Sequence, residues 1–81
     1  MGVPKKNNNI VGRRVKKARS SRQPALSQDA LSGRLAARGV VIDRAGIAKI
    51  ETERRFVSDF EVKALAQVLK VSVGWLLGME D

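Results

Sequence analysis

The stretch IDRAGIAKIETERR, residues 42–55, decides how the chain reads. It has the spacing of a short helix in which Ile47 and Ile50 are the two residues fit to anchor a core. With these two turned inward at 100° per residue, the opposite direction is shared by Ala45, Ala48, Lys49 and Thr52, with Arg44 flanking them at the helix start. That face has no long apolar side chain and no acid. Small residues let a helix approach a surface closely, and a lysine and an arginine beside them can meet phosphates or purine edges. Gly46 sits inside the helix at a cost of about 1 kcal/mol against alanine; it marks close approach of the second helix or of DNA, or nothing. An ordinary solvated charged face is the simpler alternative.

The residues around this stretch repeat one pattern. Asp43 is placed to cap the helix by accepting from free backbone N–H groups, and Ile42 and Ile47 flank it as a hydrophobic staple. The pattern recurs at Leu26-Ser27 with Leu31, at Val57-Ser58 with Val62, and at Val71-Ser72 with Leu76. Ser58 gains Glu61 three residues later, which makes a capping box. These four starts predict helices over about 28–38, 44–52, 59–69 and 73–77. A further helix over about 10–19 carries Val11, Val15 and Ala18 on one stripe, and the polar run through Pro24 ends it. Gly39 is placed as the left-handed stop of the second helix. Residues 40–42, Val-Val-Ile, read as a buried connector, since no stretch has a convincing period of two. The expectation is an all-α, five-helix bundle.

Composition narrows what such a bundle does. The chain has 81 residues, the length of one domain. It holds 21 Val, Ile and Leu against three aromatics, and it has no Cys, His or Tyr. A thiolate or histidine metal site is therefore impossible, and most general-base and nucleophilic chemistries lose their usual groups. No catalytic residue, metal site or cofactor is expected, and the chain does not read as an enzyme. No apolar run approaches the ~20 residues of a membrane span. The start, MGVPKKNNN, has no apolar segment behind its lysines and reads as a disordered polar arm over 1–9 rather than a secretory signal. A cytoplasmic, nucleoid-associated protein is the expectation.

Charge is uneven. Residues 1–55 hold 14 Lys/Arg against 4 Asp/Glu, whereas residues 56–81 hold 2 against 4. The net +8 is thus concentrated in the first two-thirds, which suits a polyanionic partner.

LSQDALSGRL (26–35), DRAGIAKIE (43–51) and VSDFEVKALAQVLKVSVGWLL (57–77) together resemble the Cro/repressor-type, or XRE-type, helix-turn-helix domain. The resemblance covers about residues 10–78, with 79–81 a tail. Its most specific elements are Ser27-Gln28, Ile47-x-x-Ile50-Glu51, and Ala64-Leu65-Ala66 followed by Leu69 and Val71-Ser72-Val73. The run Arg55-x-Val57-x-Asp59-x-Glu61 is similar to a bacterial subgroup with a longer turn.

This resemblance implies a lambda-repressor-like bundle whose third helix reads the major groove of double-stranded DNA. Carried over by position, Arg44, Ala45 and Lys49 meet base edges, with Gly46 and Ala48 adjacent. Gln28 corresponds to a phosphate-contacting glutamine at a helix N-terminus, where anions are welcome. Thr52, Arg54 and Arg55 fall where the backbone would be gripped. Arg19 and Glu51 match a structural ion pair, expected to be partly buried. The implied function is a sequence-specific transcriptional regulator, expected to be a repressor, of bacterial or phage type. It would bind as a homodimer reading half-sites about 34–36 Å apart.

Three positions depart from the pattern. The turn between the second and third helices is long, Asp43 caps where Ser or Thr is frequent, and Glu53 stands where glycine is frequent. Candidates for a dimer surface are Trp75, Leu76, Leu77 and Met79, although at helical spacing the tryptophan and leucines also suit the core. No separate ligand-binding domain is evident, so no small-molecule ligand is expected. Two other readings stay open. One is an antitoxin or adaptor that binds protein on the same fold. The other is a membrane-surface helix built on Val11 and Val15 with Arg13, Arg14, Lys16 and Lys17 beside them.

Overall fold

The computed structural model describes residues 9–81, and within them the chain is all-helical. The five helices are α1 (Gly12–Ser21), α2 (Gln28–Ala36), α3 (Arg44–Glu51), α4 (Asp59–Leu69) and α5 (Val73–Leu76). Four of the five start at an N-cap residue whose own side-chain oxygen satisfies a free backbone N–H three residues on. Ser27 accepts from Ala30, Asp43 from Gly46, Ser58 from Glu61 and Ser72 from Trp75. At α4 the box closes both ways, because the Glu61 carboxylate also accepts from the Ser58 N–H (3.0 Å).

The fifth start differs from the expected one. Asn9, expected at the end of a polar arm, is buried. Its Oδ1 accepts from the backbone N–H groups of Val11 and Gly12 (both 2.9 Å), and its amide donates to the Ile50 carbonyl (2.8 Å). Asn9 thus ties the start of α1 to the end of α3. Helix α1 accordingly begins at Gly12 rather than Ile10, and the domain begins one residue earlier than expected. The remainder of the expected arm, residues 1–8, lies outside the described residues. At its other end α1 runs past Arg19 to Ser21, where Ser20 and Ser21 donate their hydroxyls to the carbonyls of Lys16 and Lys17.

The core forms where the apolar stripes meet. Val11 and Val15 from α1, Leu31 and Leu35 from α2, Ile47 and Ile50 from α3, Leu65 and Leu69 from α4, and Leu76 from α5 are all buried in one cluster. Helix α3 packs between α1 and α2, α4 closes over α1 and α2, and α5 lies on α1 and α4. Because Val11 and Val15 are core residues, α1 has no greasy face left to lay on a membrane. Among the described residues no helix is long and apolar enough to cross one.

Four described residues, Gly39, Glu53, Lys70 and Gly78, adopt positive φ. Gly39, at φ +82°, follows α2 as expected. The connector after it is not wholly buried. Val41 is 85% exposed, while Ile42 is buried and staples α3. A three-residue extended segment alternates its side chains, so one of the three must face out. Glu53 adopts φ +63° just past α3. Its N–H donates to Ile50 O, and the Arg54 N–H donates to Lys49 O (2.8 Å), which closes the helix end. A glycine meets that backbone conformation at lower cost.

Candidate nucleic-acid interface

The geometry of α3 follows from its two isoleucines. Ile47 and Ile50 are fully buried, and this turns Arg44, Ala45, Lys49 and Thr52 to solvent. Gly46 and Ala48 are half-buried at the margins. The close approach at Gly46 is local. A Cβ there would stand 2.9 Å from Cγ2 of Ile42 and 3.1 Å from Oδ1 of Asp43, so glycine leaves room for the staple and the cap. The Asp43 carboxylate is used in that cap, accepting from the Gly46 N–H at 2.7 Å.

Beside this face lies a concavity of about 510 Å³ between α1, the N-terminus of α2 and α3. Lys16, Gln28, Arg44, Ala48 and Thr52 line it, and Arg19 and Glu51 form its floor. The floor is rigid. Arg19 donates from Nε to Oε2 of Glu51 (2.6 Å) and from Nη2 to Oε1 (2.9 Å). Arg19 also donates from Nη1 to the Leu26 carbonyl (3.0 Å), and Gln28 donates from Nε2 to Oε1 of Glu51 (3.1 Å). The Arg19 and Glu51 side chains keep only 15% and 2% of their exposure. The hydrogen bond with Glu51 raises the Arg19 pKa above its already high value, against the opposing effect of burial. The pair ties α1 and the start of α2 to the end of α3.

The basic residues on α3 and just after it fall into two groups. Lys49 and Arg54 are exposed, as is Arg44, which has the Asp29 carboxylate 3.9 Å away across the mouth. An ion pair that exposed adds little and would yield to a phosphate. Arg55 belongs to the second group. It donates from Nη1 and Nη2 to the two carboxylate oxygens of Glu61 (3.0 and 3.1 Å) and from Nη1 to the Phe56 carbonyl. The hydrogen bond from Arg55 is the main cause that holds the Glu61 carboxyl below its ordinary pKa, and the Ser58 N–H adds to it. Arg55 is thereby built into the loop between α3 and α4. Thr52 donates its hydroxyl back to the Ala48 carbonyl (2.9 Å), which leaves its oxygen lone pairs facing out.

Three residues of the region are not legible as such in the sequence. Lys16 stands one turn before Arg19 on the same stripe of α1, and that spacing is the available signal. Asn9 carries no such signal. Neither does Gly12, where a Cβ would collide with the Ile50 carbonyl oxygen. At the other end of the molecule Leu76 is buried, Trp75 and Leu77 pack against the core, and Met79 stands 77% exposed. Of the four candidates for a dimer surface, three are thus mainly core. Among the described residues no group of acids could hold a metal ion.

No protein-family model, curated protein or solved structure matches the chain.

Proposed function

We propose that this protein binds double-stranded DNA as a sequence-specific transcriptional regulator on a lambda-repressor-like helix-turn-helix bundle, and that it acts as a homodimer on two-fold sites. The observation that carries this reading is the outward face of α3. It pairs small residues, exposed Ala45 and half-buried Ala48, with exposed Arg44 and Lys49. In this reading α3 enters the major groove, with Arg44 and Lys49 meeting base edges. Gln28 at the start of α2, Arg54 and Lys16 hold the phosphates on either side, and Thr52 joins them once its hydroxyl turns away from the Ala48 carbonyl. Arg55 acts mainly by shaping the loop that presents Arg54.

Buried Arg19 and Glu51 support the reading indirectly. A base-reading helix must be held within fractions of an ångström, and a bidentate pair braced by Gln28 is the kind of support that does so. The test is salt dependence on random and selected duplexes. Several neutralised phosphates give a log–log slope of roughly −4 to −6, and a selected sequence binds well above random DNA. A partner protein bound in place of DNA would leave duplex affinity weak and without sequence preference.

A further inference from the structure

A second concavity lies on the opposite side of α1. It is an apolar groove of about 260 Å³ lined by Ala18, Leu69, Val71 and Trp75, with Lys17 and Arg22 at its rim. Close by, the chain ends in Met79-Glu80-Asp81, and this segment is fastened rather than loose. The Met79 N–H donates to the Gly74 carbonyl (2.8 Å). Arg14 stacks on the Trp75 ring, 4.7 Å from its centroid, and donates from Nη1 to the carbonyls of Trp75 and Glu80 (both 2.9 Å). Ser72 donates its hydroxyl to the Glu80 carboxylate (3.0 Å). With the backbone held this way, the Met79 side chain still points to solvent.

We propose that the groove is the docking site for Met79 of a second copy of this chain, with the acidic Glu80-Asp81 segment of that copy against Lys17 and Arg22. Three features favour this occupant. Charge is complementary, because Lys17 and Arg22 rim the groove and the methionine is followed by Asp81 beside Glu80, whose carboxylate Ser72 holds in place. The knob is preorganised, so little conformational freedom is lost on docking. The geometry is also self-complementary. Arg14, Ala18 and Ser21 fall on one stripe of α1, about 10 Å from end to end. The fastened tail sits at the Arg14 end, the groove at the Ser21 end, and Trp75 touches both. A two-fold axis over Trp75 therefore lets each copy insert its methionine into the other, the pattern of an isologous interface. An interface this small belongs to the weak class. The proposal supplies an interface for the two-fold part of the reading above, but its test needs no DNA.

The experiment is sedimentation equilibrium of the full chain without DNA, up to about 1 mM, the range that reports weak association. The expected result is a reversible monomer–dimer equilibrium. Met79→Asp should weaken it about tenfold or more, and Lys17→Glu should weaken it several-fold. Combining Lys17→Glu with Asp81→Lys should restore it, with circular dichroism confirming the fold of each variant. A wild-type chain that stays monomeric throughout overturns the proposal, as does a dimer indifferent to Met79→Asp. Failure of the charge swap to restore association overturns the pairing of Lys17 with the acidic tail. Binding of the wild-type chain to a single half-site duplex, measured separately, reports on the DNA reading. Absence of duplex binding with dimerisation intact counts against that reading and leaves the interface standing.

Discussion

Glu51 receives Arg19 and Gln28 at once, and it does so with its side chain almost wholly removed from water. A carboxylate buried that deeply is tolerated because charged and neutral donors replace its hydration. Removing Arg19 would leave it nearly stranded. Arg19→Ala and Glu51→Ala should each cost about 3–5 kcal/mol, a large share of what a small domain has. Replacing both by apolar residues of similar size should recover much of the loss, since a filled apolar site avoids the desolvation cost. Thermal or urea unfolding of the three variants checks this.

The second ion pair predicts a pH dependence. Arg55 and the Ser58 N–H hold the Glu61 carboxyl below its ordinary pKa in the folded state. The unfolded chain therefore takes up its proton first as pH falls. The stabilisation is fully present above the ordinary glutamate value of about 4.3. It is lost progressively as pH falls below that and through the lowered folded-state value. Urea midpoints of wild type and Glu61→Gln should differ most at neutral pH and converge in acid. A constant gap down to the acid limit would contradict the assignment.

Binding variants should separate into kinds. Lys49→Ala and Arg44→Ala should cost about 1–3 kcal/mol on a selected sequence and less on random duplex. Lys16→Ala and Arg54→Ala should weaken both alike and reduce the salt slope by about 1 each. Arg55→Ala should lower unfolding stability as well as affinity, because its partner Glu61 is only partly exposed. Equal losses on selected and random DNA for Lys49→Ala would discredit base reading by α3.

Two glycines on helices should respond in opposite directions. Gly33 on α2 has open space where a Cβ would go. Gly33→Ala should stabilise by about 0.5–1 kcal/mol through helix propensity and a less free unfolded chain. At Gly12 the new methyl group would strike the Ile50 carbonyl, so Gly12→Ala should destabilise by about 1–3 kcal/mol through overpacking. Chemical denaturation of both in parallel is the measurement.

The left-handed ends of α3 and α4 offer a gain. Glu53 and Lys70 sit at φ +63° and +61°. A non-glycine residue pays roughly 1–2 kcal/mol there, partly offset by the greater freedom of glycine in the unfolded chain. Glu53→Gly and Lys70→Gly should each stabilise by about 0.5–1 kcal/mol, read from their urea midpoints. Glu53→Gly also removes the ion pair with Arg13, but that pair is exposed and contributes little.

Helix starts are legible in the sequence because they depend on neighbours. An N-cap oxygen reaches a backbone N–H three residues on, and a staple joins positions five apart, so Ser27, Asp43, Ser58 and Ser72 announce their helices without reference to the rest of the chain. Burial of Ile47 and Ile50 follows from helical period, and with it the outward face of α3. The Arg19–Glu51 pair is expected from resemblance rather than from spacing, since 32 residues separate the partners. Tertiary structure alone decided the rest. It brought Asn9 to Ile50, set Gly12 against that same carbonyl, put Lys16 on the rim of the concavity, joined Arg55 to Glu61 and left Val41 outside. Each of these depends on where two helices or a loop come to lie after packing. Residue types and local spacing carry no such distances, whereas a helix start is written within a single turn.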